Sequence, residues 1–343
     1  VCIAIRIIMK TASRSLINIV FFALGLVALV LLTIEVGPGT LWEQLTRVGI
    51  VFIPILLTEL ASNLASARGW YFAFSPESRP AYGKTVISSI AALSVSGALP
   101  TGQAGEFVKG NLMRGQAPAT EIVSSLIWYN YLHVLMTSAA VFFAAIIPVA
   151  AGAFEPTMRY SALGLAAIIL LVTAAILVLL RLHMLEKIIR WLQAHLPAFL
   201  KPSDRIIEPV RTVDQRLSTF MSEHPADFIR SNAWLLIGRL LNILEVWIIL
   251  TALDLPNGVA TVAMVYAATS MANYLLMVLP AREGFLEGST YLIFGMLGLA
   301  SAAGLSFEIV RRLRKIFYQI LGLILLLSLS PKRKEQPAED VSP

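Results

Sequence analysis

Cysteine is almost missing: Cys2 stands alone among 343 residues, so neither an internal disulfide nor a multi-cysteine metal site can form within this chain. Histidine is scarce as well, with four scattered residues and no His-Glu-x-x-His pattern, which leaves no visible zinc site. A Walker A loop and a Gly-x-Ser-x-Gly elbow are absent too, so the chain shows neither that route to ATP nor a serine nucleophile. With no catalytic constellation in view, the expected reading is a protein that is not an enzyme and needs no cofactor or metal. Charge is the most telling shortage. Charged residues make up 14% of the chain against 57% hydrophobic, too little polar surface to cover a water-soluble globule of this size. The chain therefore reads as an all-α, polytopic integral membrane protein. Its net charge of +6 does not point to nucleic acid, because the basic residues flank apolar spans instead of forming one patch.

A bilayer core needs ~20 apolar residues per helix. Spans are expected at Leu16 to Ile34, Val48 to Ala67, Ile122 to Ala151, Tyr160 to Leu180, Trp234 to Leu253 and Val259 to Leu279, with shorter or charged ones at Val86 to Leu99, Ser289 to Gly304 and Leu305 to Leu329. The total is about eight transmembrane helices plus re-entrant or broken ones. Arg6, Lys10 and Arg14 precede the first span without a cleavage site after it, so that span is read as uncleaved. Position 1 is Val, so the chain is either a fragment or starts at a non-Met codon.

Basic residues set the expected orientation: three in the first fourteen positions, three in Arg68 to Lys84 and eight in Arg181 to Asn232, against Arg47 alone between the first two spans. The N-terminus and the middle segment are then cytoplasmic. A full crossing by Val86 to Leu99 would put the eight basic residues outside, so Val86 to Gly115 is expected to be a re-entrant hairpin or broken helix. Such backbone survives at membrane depth only when buried in protein or lining a watery cavity. The chain divides into a single membrane domain with a first half (1–180), a cytoplasmic segment (181–232), a second half (233–330) and a polar tail (331–343). Within the middle segment, Ile206, Val210, Val213, Leu217 and Phe220 recur at helical spacing. They suit either an amphipathic helix on the inner headgroup surface or a linker helix packed on its neighbours. The tail is taken as cytoplasmic, which makes Ser289 to Gly304 a short crossing; the opposite orientation of the last helix stays open.

Two breaker stretches stand out. Leu99-Pro100-Thr-Gly102-Gln-Ala-Gly105-Glu106-Phe-Val-Lys109 closes one apolar run, and Leu279-Pro280-Ala-Arg282-Glu283-Gly284-Phe-Leu-Glu287-Gly288 closes another in the second half. Interrupted hydrophobic segments in corresponding positions of two halves point to an internal repeat with a binding site between its copies. A helix restarting after proline and glycine leaves backbone N–H groups free for an anion such as a lipid phosphate. Lys109, Arg282 and a helix face of Arg311, Arg314 and Lys315 would add cations, while Arg312 suits a solvated or headgroup-facing position. Within the spans, ionisable residues cost ~2.5 to 3.5 kcal/mol each and usually face the bundle interior. Glu59, Ser62, Asn63 and Ser66 form one helical stripe, Asn130, His133 and Thr137 a second, and Arg239, Asn242 and Glu245 a third. The serines and asparagines suit interhelical hydrogen bonds and His133 suits packing. Glu59, Arg239 and Glu245 suit a charge-balancing or proton-carrying role.

These residues resemble the lysylphosphatidylglycerol synthase transmembrane-region family over most of the chain. Leu99-Pro100, Gly105-Glu106 and Lys109 are similar to its proline, Gly-Glu, basic pattern, with Lys109 where arginine is commoner. Leu279-Pro280, Gly284, Glu287-Gly288, Gly295 to Gly298 and Arg311-Arg312-Leu-Arg314 resemble its later motifs, in particular those of a stand-alone, hopanoid-locus branch; Arg282 and Glu283 depart from the usual small residues. The resemblance implies a multi-pass protein of the bacterial inner membrane that moves a lipid, whether phospholipid, hopanoid or isoprenoid, between leaflets. A flippase or lipid transporter is the expected function, with homo-oligomers or lipid-synthesis enzymes as further partners. The alternatives are a membrane enzyme or subunit acting on lipid phosphates, and a non-transporting scaffold of a lipid-synthesis complex. Topology is open to direct test. In a Cys2→Ser background, a cysteine at Thr212 should resist an impermeant maleimide added to intact cells, and labelling there would overturn the cytoplasmic assignment of the middle segment.

Overall fold

The computed structural model describes residues 48–96, 104–152, 156–181, 222–276 and 283–329, together with single helical positions at 39, 46 and between 187 and 220. Among these residues the chain forms nine α-helices and no β-strand. They are α1 (Phe52–Phe72), α2 (Tyr82–Ser96), α3 (Ala104–Leu112), α4 (Ala119–Ala150), α5 (Pro156–Arg181), α6 (Pro225–Ala252), α7 (Val259–Leu275), α8 (Glu283–Met296) and α9 (Ser301–Leu329). By length and composition, 49–72, 119–150 and 225–252 suffice to cross a membrane, and Val259–Leu275 is a shorter apolar helix. The expected first span at Leu16 to Ile34, the prolines of both Leu-Pro elements and most of the expected amphipathic helix lie outside the described residues.

Helices α2 and α3 pack on each other, and α3 rises only about 13 Å over its nine residues, far short of a ~30 Å hydrocarbon core. The first breaker stretch thus sits between two short, mutually packed helices. In the second half the structure corrects the expected single crossing at Ser289 to Gly304. Helix α8 ends at Met296 and α9 begins at Ser301. Gly298 takes φ +72, Leu299 N–H donates to the Phe294 carbonyl and Gly298 N–H to the Gly295 carbonyl. That is a Schellman stop, in which a left-handed glycine satisfies the last carbonyls of a helix. The hairpin then closes on itself: the Phe294 and Phe307 rings lie 5.4 Å apart, and a Cβ on Gly304 would come 2.6 Å from the Thr290 carbonyl oxygen. Close packing explains why a chain that looks continuously apolar turns back here.

The two halves repeat each other's contacts. Helix α2 packs on α9 as α7 packs on α4; α3 joins α2 to α4 as α8 joins α7 to α9. At the centre α1 and α6 cross in antiparallel fashion, with a reciprocal pair of bonds. Ser62 Oγ donates to the Gly238 carbonyl (3.2 Å) and Ser231 Oγ to the Gly69 carbonyl (2.8 Å). Leu235 lies against Gly69 and Ser66 against Gly238. A matching order of helix contacts, with an antiparallel central pair that exchanges the same serine-to-glycine bond, is the pattern an inverted repeat produces. Apolar packing fills the two ends: Ile55, Val141, Ile249, Leu250, Val265 and Phe307 in one cluster, Trp70, Phe74, Met113, Trp128, Leu132 and Leu235 in the other.

Gly322 of α9 seats this helix against α2. A Cβ there would overlap the Ile90 carbonyl oxygen and come 3.1 Å from Ser94 N, whereas Gly83 has open space around it. G322V should therefore cost about 2 kcal/mol of stability by overpacking. G83A should be neutral or gain up to ~1 kcal/mol from helix propensity. Thermal unfolding of both purified variants in detergent checks the pair.

Candidate functional site

Polar side chains on the inner faces of α1, α3, α4, α6, α8 and α9 form two clusters. The first is built around the start of α3. Lys109, buried, donates to Glu106 Oε1 at 2.7 Å, and Asn130 Nδ2 donates to Glu106 Oε2 at 2.8 Å. The Lys109 ammonium also lies 4.6 Å from the Tyr129 ring centroid and 5.7 Å from that of Trp70. On the facing side, Arg239 Nη2 lies 3.2 Å from His133 Nε2. A guanidinium can only donate, so this contact requires a neutral imidazole with its proton on Nδ1. That Nδ1 and the Nε of Arg239 are both buried with no hydrogen-bond partner among the described residues. No described carboxylate lies within ion-pair distance of Arg239.

The second cluster is centred on α9. Arg314 Nη1 meets Glu59 Oε2 at 3.1 Å and is in contact with Glu245 Oε2 as well. Arg311 pairs with Glu308 at 3.2 Å, and Thr290 Oγ1 donates to the same Glu308 oxygen at 3.4 Å. Arg312 pairs with Glu287, whose side chain is 1% exposed. The tyrosines of α7 connect the clusters: Arg239 lies within electrostatic reach of Tyr266 and Tyr274, and Arg311 within reach of Tyr266. Lys109 and Arg239 both reach His133. Lys109, the contacting pair His133 and Arg239, Tyr266, Arg311 and Arg314 thus make a row of polar groups that act on one another electrostatically.

Several expected site residues change neighbours in the structure. Arg314, expected to face an anion, is bracketed by two carboxylates. Arg312, expected at the headgroups, neutralises Glu287 instead. Arg239, expected to balance charge, meets His133 and has no carboxylate within ion-pair distance among the described residues. Gly105 and Gly284 are both buried, but α3 packs on α2 and α4 while α8 packs on α7 and α9, so the two elements are not each other's principal neighbours. Their connection runs through α4, α6 and α7. Pro100, Gly102, Pro280 and Arg282 lie outside the described residues, as does the Glu283 side chain, and Lys315 sits part-buried on α9. Glu308, Tyr266 and Tyr274 escaped the sequence reading. Only Glu308 carried a signal, since it precedes Arg311 and Arg312 at i+3 and i+4, one face of a helix.

Apolar helices with paired charges at their inner faces define a polytopic membrane protein with a polar interior. A family model places it further: residues 18–322 match the lysylphosphatidylglycerol synthase TM region, and the chain belongs to that family. Neither a curated protein nor a solved structure matches it.

Removing one member of a buried ion group leaves the others uncompensated. R314M should cost about 3 kcal/mol, because Glu59 and Glu245 then face each other without a cation. Adding E59Q and E245Q to R314M should restore more than half of that loss. Equilibrium unfolding in detergent of the single and triple variants measures both.

Proposed function

We propose that this protein carries an anionic lipid across the bacterial inner membrane, with its N-terminus in the cytoplasm, holding the phosphate headgroup in the polar row between its two halves while the acyl chains stay in lipid. The observation that carries this reading is Arg239. An always-charged guanidinium on an apolar helix, with a neutral histidine as its partner and no described carboxylate within reach, is a costly arrangement unless an anion completes it. A phosphate has the geometry for it, since guanidinium groups bind phosphate oxygens through parallel N–H donors. Lys109 and Arg311 stand at the two ends of the row, each already paired with a carboxylate of its own helix, so Arg239 is the donor left for the headgroup among them. The inverted repeat supplies the mechanics, because exchanging the conformations of two equivalent halves opens the same site first to one leaflet and then to the other. Without a nucleotide site, net movement is downhill or coupled to an ion.

Proteoliposomes doped with a headgroup-labelled phosphatidylglycerol test the proposal. Wild-type protein should equilibrate the label between leaflets, and R239Q, eluting as a single folded species, should slow this about tenfold, the equivalent of ~1.4 kcal/mol. A chemically altered lipid recovered by mass spectrometry would favour the enzyme reading. Absence of movement with intact lipid, for this and for other anionic headgroups, would favour the scaffold.

A further inference from the structure

We infer that Glu245 and Glu59, bound to the same nitrogen of Arg314, hold one exchangeable proton that is co-transported with the anionic headgroup; this inference rests on the transport reading above. Three further groups act on Glu245 besides its partner Arg314: Arg311, Glu59 and Glu308. From α1 comes Glu59, and from α9 come Glu308, Arg311 and Arg314. Helices α4 and α7 present His133 and Tyr266, whose charged neighbours are Arg239 and Arg311. Glu308 and Arg311 balance each other, but Glu59 and Glu245 share the single guanidinium of Arg314, so that trio carries one negative charge of its own. Arg239 balances this charge over the interior as a whole, but at the two carboxylates one guanidinium leaves room for a further cation.

Geometry assigns that cation and its seat. Both carboxylates use Arg314 Nη1, while Arg314 Nε and Glu245 Oε1 are buried with no hydrogen-bond partner. Glu245 is 3% exposed as a residue, so its free oxygen cannot be satisfied by bulk water. A metal ion does not suit the position, because a guanidinium already stands between the two carboxylates, and no grouping of three metal-ligating side chains exists among the described residues. A proton does suit it. On binding, a hydronium ion gives up its proton to a Glu245 carboxylate oxygen: one O–H bond of hydronium breaks, one O–H bond of the neutral acid forms, and water is released. Arg314 keeps its ion pair with Glu59, and the cluster changes from net negative to neutral.

The sign of the coupling follows. Arg311 belongs to this cluster and reaches the tyrosine that Arg239 also reaches, so the cluster lies beside the proposed headgroup row. Its negative charge repels an anionic headgroup, and protonation removes that repulsion. Proton and headgroup therefore favour each other's binding, and by linkage the preference is reciprocal. A transporter built this way carries both in the same direction, so the proton gradient sets the direction of net lipid movement.

Two measurements on the full-length protein test this. In infrared difference spectra of lipid-reconstituted protein, acidification should produce a protonated-carboxyl stretch that is lost in E245Q, restored in E245D and unchanged in E77Q, whose side chain is exposed on the turn before α2. In proteoliposomes containing headgroup-labelled phosphatidylglycerol, an imposed pH gradient should bias the label about tenfold toward the alkaline side, and E245Q should lose that bias. A carboxyl band that survives in both E245Q and E59Q overturns the assignment, as does a bias that follows sodium instead of protons. Label that equilibrates without regard to the pH gradient overturns the coupling and leaves the transport reading standing. A band that depends on Glu245 while no anionic lipid moves overturns the transport reading and the coupling together.

Discussion

The close crossing of α1 and α6 is the contact on which the rest of the bundle depends. Lipid tails are as apolar as leucine, so helices inside a membrane gain little from burying apolar surface against each other, and association falls to tight packing and interhelical hydrogen bonds. Gly69 and Gly238 remove the side chains that would hold the two backbones apart. Ser62 and Ser231 then bond across the gap to carbonyl oxygens already engaged in their own helices. Small residues at this crossing fix the register of the two helices. The register decides which side chains meet further along: it brings Glu59 and Glu245 to one end, where Arg314 of α9 bridges them, and turns Arg239 toward His133 of α4.

Much of this was legible in the sequence, and the reasons for the misses are specific. Charges inside apolar runs announced interior faces correctly as to residue, since Glu59, Arg239 and Glu245 all point into the bundle. Their partners could not be read. A step of three advances a helix by 300° and not a full turn, so Arg239, Asn242 and Glu245 drift around α6 and reach three different helices: Arg239 meets α4, Asn242 accepts from Ser62 of α1, and Glu245 meets α9. The pairing of Arg312 with Glu287 joins positions on two helices whose hairpin was itself hidden. Hydropathy sees Ser289 to Gly304 as continuous, because the stop at Gly298 is a matter of backbone hand and hydrogen bonding, not of polarity. Arg79 to Asp227, at 2.6 Å, joins a loop to the start of α6 across most of the first half, and nothing local foreshadows it.

The halves share topology but differ in charge. In each, a carboxylate on the short helix is fixed from the long helix that follows: Glu106 by Asn130 of α4, Glu287 by Arg312 of α9. Neutral asparagine leaves Glu106 to be balanced by Lys109 on its own helix, whereas Arg312 balances Glu287 directly. The first hairpin is thus a self-contained ion pair, and the second is tied electrostatically to α9. Separating α3 from α4 breaks the Asn130 hydrogen bond and the contact of Lys109 with the Tyr129 ring, but leaves the Glu106–Lys109 ion pair intact. Separating α8 from α9 would leave a carboxylate and a guanidinium uncompensated, a far larger cost.

Buried ion pairs are a poor way to stabilise a fold, because desolvation consumes most of the attraction and well-packed apolar residues do as well or better. The crossing of α1 and α6, the Phe294–Phe307 hairpin and the Gly322 contact already account for the packing of this bundle without a single charge. The residues of the polar row add cost to that fold. Their arrangement sets a cation on α6 with no carboxylate within reach among the described residues, and two carboxylates on one guanidinium where α1, α6 and α9 meet. The two excesses are opposite in sign and cancel over the whole interior, yet they are held apart on different partners, and on the transport proposed above the first is where the headgroup binds and the second where the proton binds.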